Sequence, residues 1–163
     1  MSALIAPEPL SEVQTFLNKS HKLLIGGRWV DSSEGENFNI LNPSNNSFLA
    51  KVAKGKKEDI DRAVKAARQA FEDGPWSKLT PSERGRMIWK LADLIEQHTE
   101  EFAQLETLDN GKPLAVARAA DVPLTIDHFR YYAGLATKIH GETIDLSVPY
   151  MPNANFLDYT LRE

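Results

Sequence analysis

The chain of 163 residues contains no cysteine, and this absence excludes several kinds of site at once. Without thiols there can be no disulfide bond, no thiolate-ligated metal and no cysteine nucleophile within the chain. The absence does not identify a cellular compartment, because a chain without cysteine is compatible with any of them.

The chain also lacks an excess of basic residues. Its 19 Lys and Arg residues are outnumbered by 23 Asp and Glu residues, which gives a formal net charge of −4. The dense basic run at 54–57 is short, and it fits a solvated turn before a helix better than a nucleic-acid surface. We therefore expect no nucleic-acid partner.

Long apolar runs are absent as well. No stretch approaches the ~18–20 apolar residues of a membrane span, and residues 1–9 lack the basic and apolar segments of a secretory signal. The composition, with 42% hydrophobic and 26% charged residues, is ordinary for a soluble globular protein. We expect a cytoplasmic protein without a membrane partner, built as one domain or a large piece of one.

The first third of the chain predicts a short helix and a small β-meander. Ser11–Leu17 has amphipathic spacing, with Ser11 as a candidate N-cap, behind an arm of about ten residues. Gly26–Gly27 separates two apolar runs and predicts a two-residue hairpin. Two further strands, Phe38–Leu41 and Phe48–Val52, flank a turn rich in Asn and Pro.

From Glu58 the apolar residues recur with a helical period. The first helix is predicted to end at Gly74–Pro75. Thr80-Pro81-Ser82-Glu83 is a capping box with proline at the first helical position, so it predicts the start of a second, long helix. That helix is predicted to reach about Leu108, with Gly111 as its stop.

A third helix is predicted after Pro113, ending near Gly141. Pro123 interrupts its pattern, which predicts a kink or a restart capped by Asp121. The tail is predicted to be extended over 144–148 and again as a strand near its end, at 155–162. With no later strand to pair with, that strand is expected to need a partner chain or further sequence.

No residue pattern predicts catalysis within the chain. The four histidines lack metal-ligand spacing, and Asp127–His128 has no activated serine beside it. Neighbouring carboxylates such as Glu58, Asp59 and Asp61 fit the start of a helix, where negative charge is favourable. Arg130-Tyr131-Tyr132 is expected to pack between helices, with the hydroxyl groups hydrogen-bonded.

Asp109-Asn110-Gly111 has two interpretations. Asn and Gly tolerate left-handed dihedrals, so the run fits a helix C-cap. An acid at a helix C-terminus, where exposed carbonyls already carry partial negative charge, also fits a structural monovalent cation.

Eight blocks resemble the NAD(P)-dependent aldehyde dehydrogenase family in order and spacing. They are Leu24–Val30, Asn42–Pro43, Asp59–Phe71, Pro75–Trp76, Arg84–Arg86, Leu91–Glu96, Glu106–Pro113 and Arg130–Gly134. Two further blocks, Leu10–Leu17 and Thr137–Pro149, resemble its phenylacetaldehyde dehydrogenase branch.

The resemblance implies an α/β chain that forms the N-terminal part of the family fold. This part would contain a small β-meander with hairpins, three main amphipathic helices and a terminal extended strand, without Rossmann βαβ units. The implied organisation is an arm and short helix at 1–20, a segment of the cofactor-binding domain at 21–145 and an oligomerisation-type strand at 146–163. The catalytic domain is expected to be absent.

The resemblance also implies a mechanism that this chain cannot complete. In the family a cysteine thiolate attacks the aldehyde, hydride passes to NAD(P)+, and a glutamate activates water to release the acid. None of those residues can be placed here, so the chain carries no catalytic and no cofactor-binding residue. NAD or NADP is expected in the parent enzyme, and none is expected to bind this chain alone.

Supporting residues do carry over from the family. A monovalent cation would be held by the carbonyl of Leu41, with Ile40 as a further candidate, and by Asp109. Ala120 and Leu124 match positions that line the substrate tunnel. The final strand resembles the strand through which subunits associate, so a homo-oligomer is expected at full length.

The sequence therefore predicts the N-terminal fragment of an enzyme that oxidises a hydrophobic, arylalkyl aldehyde such as phenylacetaldehyde to its acid. The chain alone is expected to be inactive. The alternative is a strand-pairing interaction module of a split or truncated dehydrogenase, with no catalysis of its own.

Overall fold

The structure is a computed structural model that describes residues 8–146 and 156–161. A β-rich part comes first and a helical part follows. The elements are α1 (Ser11–Leu17), β1 (Ser20–His21), β2 (Leu23–Ile25), β3 (Arg28–Val30), β4 (Asn37–Leu41), β5 (Phe48–Ala53), α2 (Lys57–Asp73), α3 (Pro81–Gln97), α4 (Thr99–Asn110), α5 (Leu114–Val116), α6 (Val122–Leu135), β6 (Gly141–Leu146) and β7 (Phe156–Leu161). A 3₁₀ turn (Pro75–Lys78) follows α2, and a π-helical segment (Ala117–Asp121) joins α5 to α6.

The β-rich part forms two small sheets. β1, β5 and β4 lie side by side in that order, with β1 parallel and β4 antiparallel to β5. β2 and β3 form a separate hairpin whose turn residues, Gly26 and Gly27, have φ values of 58° and 76°. Positive φ at both positions is the geometry that two-residue hairpins favour. The predicted hairpin and strands are confirmed, but the hairpin stands apart from the three-stranded sheet and the strands do not form one continuous meander.

The short helix α1 is present, with Val13 fully buried. The prediction of Ser11 as its N-cap is wrong, because the cap position belongs to Leu10. The entry to the helix is held by a distant contact instead: the N–H of Leu10 donates to Oε1 of Gln104 on α4 at 2.8 Å.

Helix α2 ends at Gly74, as predicted, where the backbone becomes extended. Much of its apolar stripe is not covered by the described part of the chain. Ile60, Val64 and Phe71 are 58%, 61% and 76% exposed. A stripe of this kind is what an amphipathic helix normally packs against a core, so α2 presents a surface suited to further protein.

The predicted long second helix is in fact two helices. Its start is confirmed, since Thr80 Oγ1 accepts the N–H of Glu83 and the Glu83 carboxylate accepts the N–H of Thr80 at 2.7 Å. The break lies at His98, whose φ of −108° and ψ of 22° are not helical. The Thr99 hydroxyl donates to the Glu96 carbonyl at 2.7 Å, and such local side-chain bonds compete with the helical pattern.

The third predicted helix ends earlier than expected, at Leu135, and it is continuous through Pro123. Asp121 has helical dihedrals and makes no capping bond, so the predicted restart is wrong. Proline has no N–H to donate, and the wider π-helical segment before it absorbs the interruption.

Small side chains form the centre of the helical part. Ala92, Ala103 and Ala117 are fully buried beside Val122 and Ile126, and larger apolar residues pack around them. Because alanine has little bulk, the helices approach closely and their positions depend on a few tight contacts.

The tail forms an antiparallel hairpin. β6 and β7 pair from Gly141 opposite Leu161 to Leu146 opposite Phe156. The expectation that the final strand has no pairing strand within the chain is therefore wrong, because one edge of β7 pairs with β6. The predicted extended stretch beyond Leu146, the break at Pro149–Pro152 and residues 1–7 of the arm lie outside the described residues.

None of the helices in the described ranges is both long enough and apolar enough to cross a membrane.

Candidate functional site

The turn after α4 packs directly on the turn after β4. Gly111 has a φ of 81°, and its N–H donates to the Thr107 carbonyl at 3.0 Å, so the predicted helix C-cap is present. A β-carbon on Gly111 would lie 3.0 Å from Cγ of Pro43. Both the left-handed backbone and the close approach therefore require glycine.

The facing turn is fixed by the buried side chain of Asn42. Its Oδ1 accepts the N–H of Ser44 at 2.9 Å, and its backbone N–H donates to the Ser47 carbonyl at 2.8 Å. An Asn side chain that bonds the backbone two residues on is a common turn device. The contact between the two turns holds the end of α4 against the end of β4.

The predicted cation ligands lie on the two sides of this contact. Asp109 is exposed at the end of α4, and it lines the same cavity of about 420 Å³ as Ile40 of β4. The strand has an irregular register between Ile40 and Leu41, and an irregularity of this kind leaves backbone groups outside the ladder. Carbonyl and carboxylate oxygens are the donors that hard cations prefer, and a cation held by Asp109 and the strand end stays a prediction. Leu41 itself does not line the cavity.

The predicted tunnel residues lie one helical turn apart. Ala120 is exposed in the π-helical segment, and Leu124 is 55% exposed on α6. Leu124 lines a cavity of about 330 Å³ whose wall also carries Lys112, Asp121 and His128. Ala120 does not reach that cavity. Both residues therefore lie on the surface, and of the two only Leu124 lines this cavity.

Sequence reasoning missed the role of Asp59. Its side chain is only 1% exposed although it belongs to the first turn of α2. The carboxylate accepts the N–H of Lys56 at 2.9 Å and the N–H of Ser33 at 3.1 Å, and it pairs with Arg62. These contacts, the Lys56 amide foremost, hold the pKa of Asp59 well below its ordinary value despite its burial. Asp59 therefore ties the loop before β4 to α2, and no local sequence pattern indicates the partner at Ser33.

Arg130 joins α6 to α3. Its guanidinium donates to Asp93 at 3.0 Å and to Glu96, and lies 5.6 Å from the ring centre of Trp89. The two carboxylates, Glu96 first, raise the pKa of Arg130 further above its ordinary value. The expected packing role belongs to this residue rather than to the tyrosines. Tyr131 and Tyr132 are exposed and contact each other edge-to-face at 5.3 Å.

No cluster in the described ranges unites three or more His, Asp or Glu side chains as metal ligands. His98 lies at the break between α3 and α4, 2.9 Å from Glu101, and His128 lines the cavity beside Leu124.

Comparison with known proteins identifies the family. The model of the aldehyde dehydrogenase family matches residues 29–163. The chain belongs to the aldehyde dehydrogenase family.

Individual relatives agree with this assignment. Aldehyde dehydrogenase family 2 member B4, mitochondrial, of Arabidopsis thaliana is 49% identical over 142 residues, which are 87% of this chain and 25% of that protein. Benzaldehyde dehydrogenase, mitochondrial, of Antirrhinum majus is 46% identical over 129 residues, 79% of this chain and 24% of that protein. Among solved structures, the NAD+ complex of an aldehyde dehydrogenase from Bacillus cereus matches with a TM-score of 0.82 and 51% sequence identity. The match covers 86% of this chain and 28% of that one.

The chain thus spans about a quarter of the length of the relatives it matches. The predicted fold class is confirmed, since the strands and helices superpose on the N-terminal part of the family fold. The cofactor expected for the family is also confirmed, because the Bacillus cereus relative forms a complex with NAD+.

Proposed function

We propose that the chain is the N-terminal segment of an enzyme that oxidises a hydrophobic, arylalkyl aldehyde, such as phenylacetaldehyde, to the carboxylic acid with NAD+ or NADP+. The observation that carries the substrate class is the surface formed by the π-helical segment and the start of α6. Ala120 is small, Leu124 is apolar, and both are exposed one turn apart. Such a surface favours an apolar substrate, since apolar area removed from water stabilises the complex.

The chemistry requires groups that this chain does not contain. A covalent thiohemiacetal needs a cysteine thiolate, and the chain has no cysteine. NAD+ or NADP+ would accept the hydride and would be bound outside this segment. The chain alone is therefore inactive and binds no cofactor, and its contribution is structural support and one wall of the substrate path.

Three supporting roles complete the proposal. The backbone carbonyl of Leu41, with that of Ile40 as a further candidate, and the Asp109 carboxylate hold a monovalent cation that links β4 to α4. The tail at 146–163, which contains β7, contributes to association between subunits, so the complete enzyme is a homo-oligomer. Residues 1–20 form the arm with its short helix, residues 21–145 belong to the cofactor-binding domain, and the enzyme is cytoplasmic.

The interaction-module alternative is not favoured. It depends on a final strand that has no pairing strand within the chain, whereas one edge of β7 pairs with β6 along Phe156–Leu161.

A segment exchange tests the substrate proposal. Residues 21–163 replace the matching segment of the Bacillus cereus enzyme, to which the chain is 51% identical, and NADH formation is followed with phenylacetaldehyde and with acetaldehyde. We expect an active chimera whose kcat/KM ratio favours phenylacetaldehyde at least about tenfold more than that of the parent, the scale of about 1.4 kcal/mol of differential transition-state binding. An active chimera with the parental ratio would contradict the substrate class.

The inactivity of the isolated chain is tested directly. The purified 163-residue chain, mixed with phenylacetaldehyde and NAD+, should form no NADH above a protein-free blank. Steady NADH formation that survives repurification would refute the proposal that nucleophile and cofactor site lie elsewhere.

A further inference from the structure

The π-helical segment Ala117–Asp121 is held against α4 by charged contacts at both of its ends. Near its start, Arg118 makes two hydrogen bonds of 2.7 Å to the Glu100 carboxylate. At its end, Nζ of Lys112 lies 2.5 Å from Asp121 and 3.3 Å from Glu106. The segment is therefore fixed from outside the helix to which it belongs.

The Lys112 end of this arrangement is the more enclosed one. Side chains of Lys112 and Asp121 are 28% and 34% exposed, against 49% for Arg118. The backbone N–H of Lys112 donates to Oδ1 of Asn110 at 3.1 Å, so the C-cap of α4 positions the residue. The hydrogen bond to Asp121, assisted by Glu106, raises the pKa of Lys112 above its ordinary value, so its ammonium group stays charged at neutral pH.

A π-helical turn needs such a restraint because it is rarely stable by itself. Relaxation to an α-helix would shift the segment by one residue, which is about 100° around the helix axis. Val122 and Ile126 hold α6 in the buried core, so the residues before them would rotate. Ala117, now fully buried, would leave the core, and Ala120 would leave the face that it shares with Leu124.

The ion pair and the apolar wall also belong to one concave surface. Lys112, Asp121 and Leu124 line the same cavity of about 330 Å³, backed by Ile95 and Phe102. A change in the ion pair would therefore alter the wall of the cavity that Leu124 also lines.

We propose that Lys112 is a positioning residue for the aldehyde path. Its ion pair with Asp121 keeps the π-helical segment in place and thereby sets where Ala120 stands relative to Leu124. This inference rests on the proposed function for its consequence in catalysis, but its structural part can be tested without any activity.

The structural test uses the 163-residue chain. Amide hydrogen exchange over 117–124 is measured in the unaltered chain, in Lys112→Met and in Lys112→Arg. Lys112→Met keeps the apolar stem and removes the charge, whereas Lys112→Arg keeps the charge. The matched control is Lys90→Met on α3, since Lys90 is exposed and has no ion pair within the described ranges.

We expect exchange over 117–124 to accelerate at least about tenfold in Lys112→Met, which corresponds to about 1.4 kcal/mol. The other helices should keep their protection, Lys112→Arg should restore most of the lost protection, and Lys90→Met should change nothing. Unchanged exchange over 117–124 in Lys112→Met would overturn the inference, and so would an equal acceleration throughout the chain.

The catalytic test uses the same variants in the complete enzyme that contains this segment. Lys112→Met should raise KM for phenylacetaldehyde several-fold more than KM for acetaldehyde, with kcat and KM for NAD+ nearly unchanged. Equal effects on the two aldehydes would overturn the positioning role. If the unaltered enzyme oxidises no aldehyde, the proposed function fails, and the exchange experiment still decides whether Lys112 holds the segment.

Discussion

Gly85 of α3 lies directly against the backbone carbonyl of Ala133 on α6. A β-carbon at residue 85 would sit 2.8 Å from that carbonyl oxygen. Backbone cannot move aside as a flexible side chain can, so the crossing of α3 and α6 depends on the absence of one methyl group. The same crossing carries the contacts of Arg130 with Asp93 and Glu96.

Gly85→Ala should therefore destabilise the chain although alanine is the better helix former. We expect a loss of about 1–3 kcal/mol in the free energy of unfolding, the usual cost of inserting a methyl group into a close-packed contact. Gly134→Ala on α6 is the matched control, since its β-carbon would come no nearer than 3.9 Å to Lys138. That change should be neutral or stabilising by up to about 1 kcal/mol. Equal stability of the two variants in urea unfolding would contradict the close crossing.

Gly111 offers a second test, in which two causes can be separated. Gly111→Ala meets both a φ of 81° and a β-carbon contact of 3.0 Å with Pro43, whereas Gly35→Ala meets only a φ of 67° in open space. The left-handed backbone alone costs a non-glycine residue about 1–2 kcal/mol. Gly111→Ala should lower the free energy of unfolding in urea more than Gly35→Ala does. The difference measures how much the contact between the two turns contributes to stability. If Gly35→Ala costs as much, the contact with Pro43 contributes nothing.

The buried carboxylate of Asp59 predicts a particular pH dependence. Its folded pKa is depressed, so its stabilising contribution is complete above the unfolded value of about 3.9 and is lost as the pH falls through the folded pKa. Asp59→Asn removes this contribution. The melting temperature of the variant should lie roughly 5–10 °C below that of the unaltered chain at pH 7, and the gap should narrow progressively below about pH 4.

Asp61→Asn is the control for this comparison, because Asp61 is exposed on the same helix. It should melt within about 2 °C of the unaltered chain at pH 7. A gap between Asp59→Asn and the unaltered chain that stayed constant down to pH 2.5 would show that the carboxylate charge is not what stabilises the loop.

The features that the sequence predicted well are encoded within a few neighbouring residues. Thr80 and Glu83 form their capping box, and Gly26–Gly27 and Gly111 adopt positive φ, because each depends on local backbone chemistry alone. Such signals need no knowledge of the rest of the fold.

The features that escaped prediction depend on distant partners. Asp59 is buried where the loop at Ser33, 26 residues away, packs on α2 and donates to it, and the run of acids at the start of the helix does not reveal that distant partner. The π-helical segment makes ion pairs with residues outside it, Asp121 with Lys112 and Arg118 with Glu100. For the candidate site, the resemblance predicts Leu41 and Asp109 as cation ligands and Ala120 and Leu124 as tunnel residues, and these roles stay predictions. The structure adds that Asp109 lines a cavity with Ile40 and that Leu124 lines another, which the sequence could not show because it does not reveal which faces of α6 remain open.

The cation proposed at Asp109 can be tested by melting the chain in salts of equal ionic strength. An ion that binds only the folded chain raises its stability by RT ln(1 + [L]/Kd), which is about 1.4 kcal/mol at ten times Kd. Sodium or potassium chloride should therefore give a melting temperature several degrees above that in choline chloride, whose large cation cannot enter an oxygen-lined site. Asp109→Asn should abolish this difference, while Asp127→Asn, at an exposed acid on α6, should keep it. Identical melting temperatures of the unaltered chain in all three salts would contradict the cation. Asp109 would then be only part of the helix C-cap that Asn110 and Gly111 form.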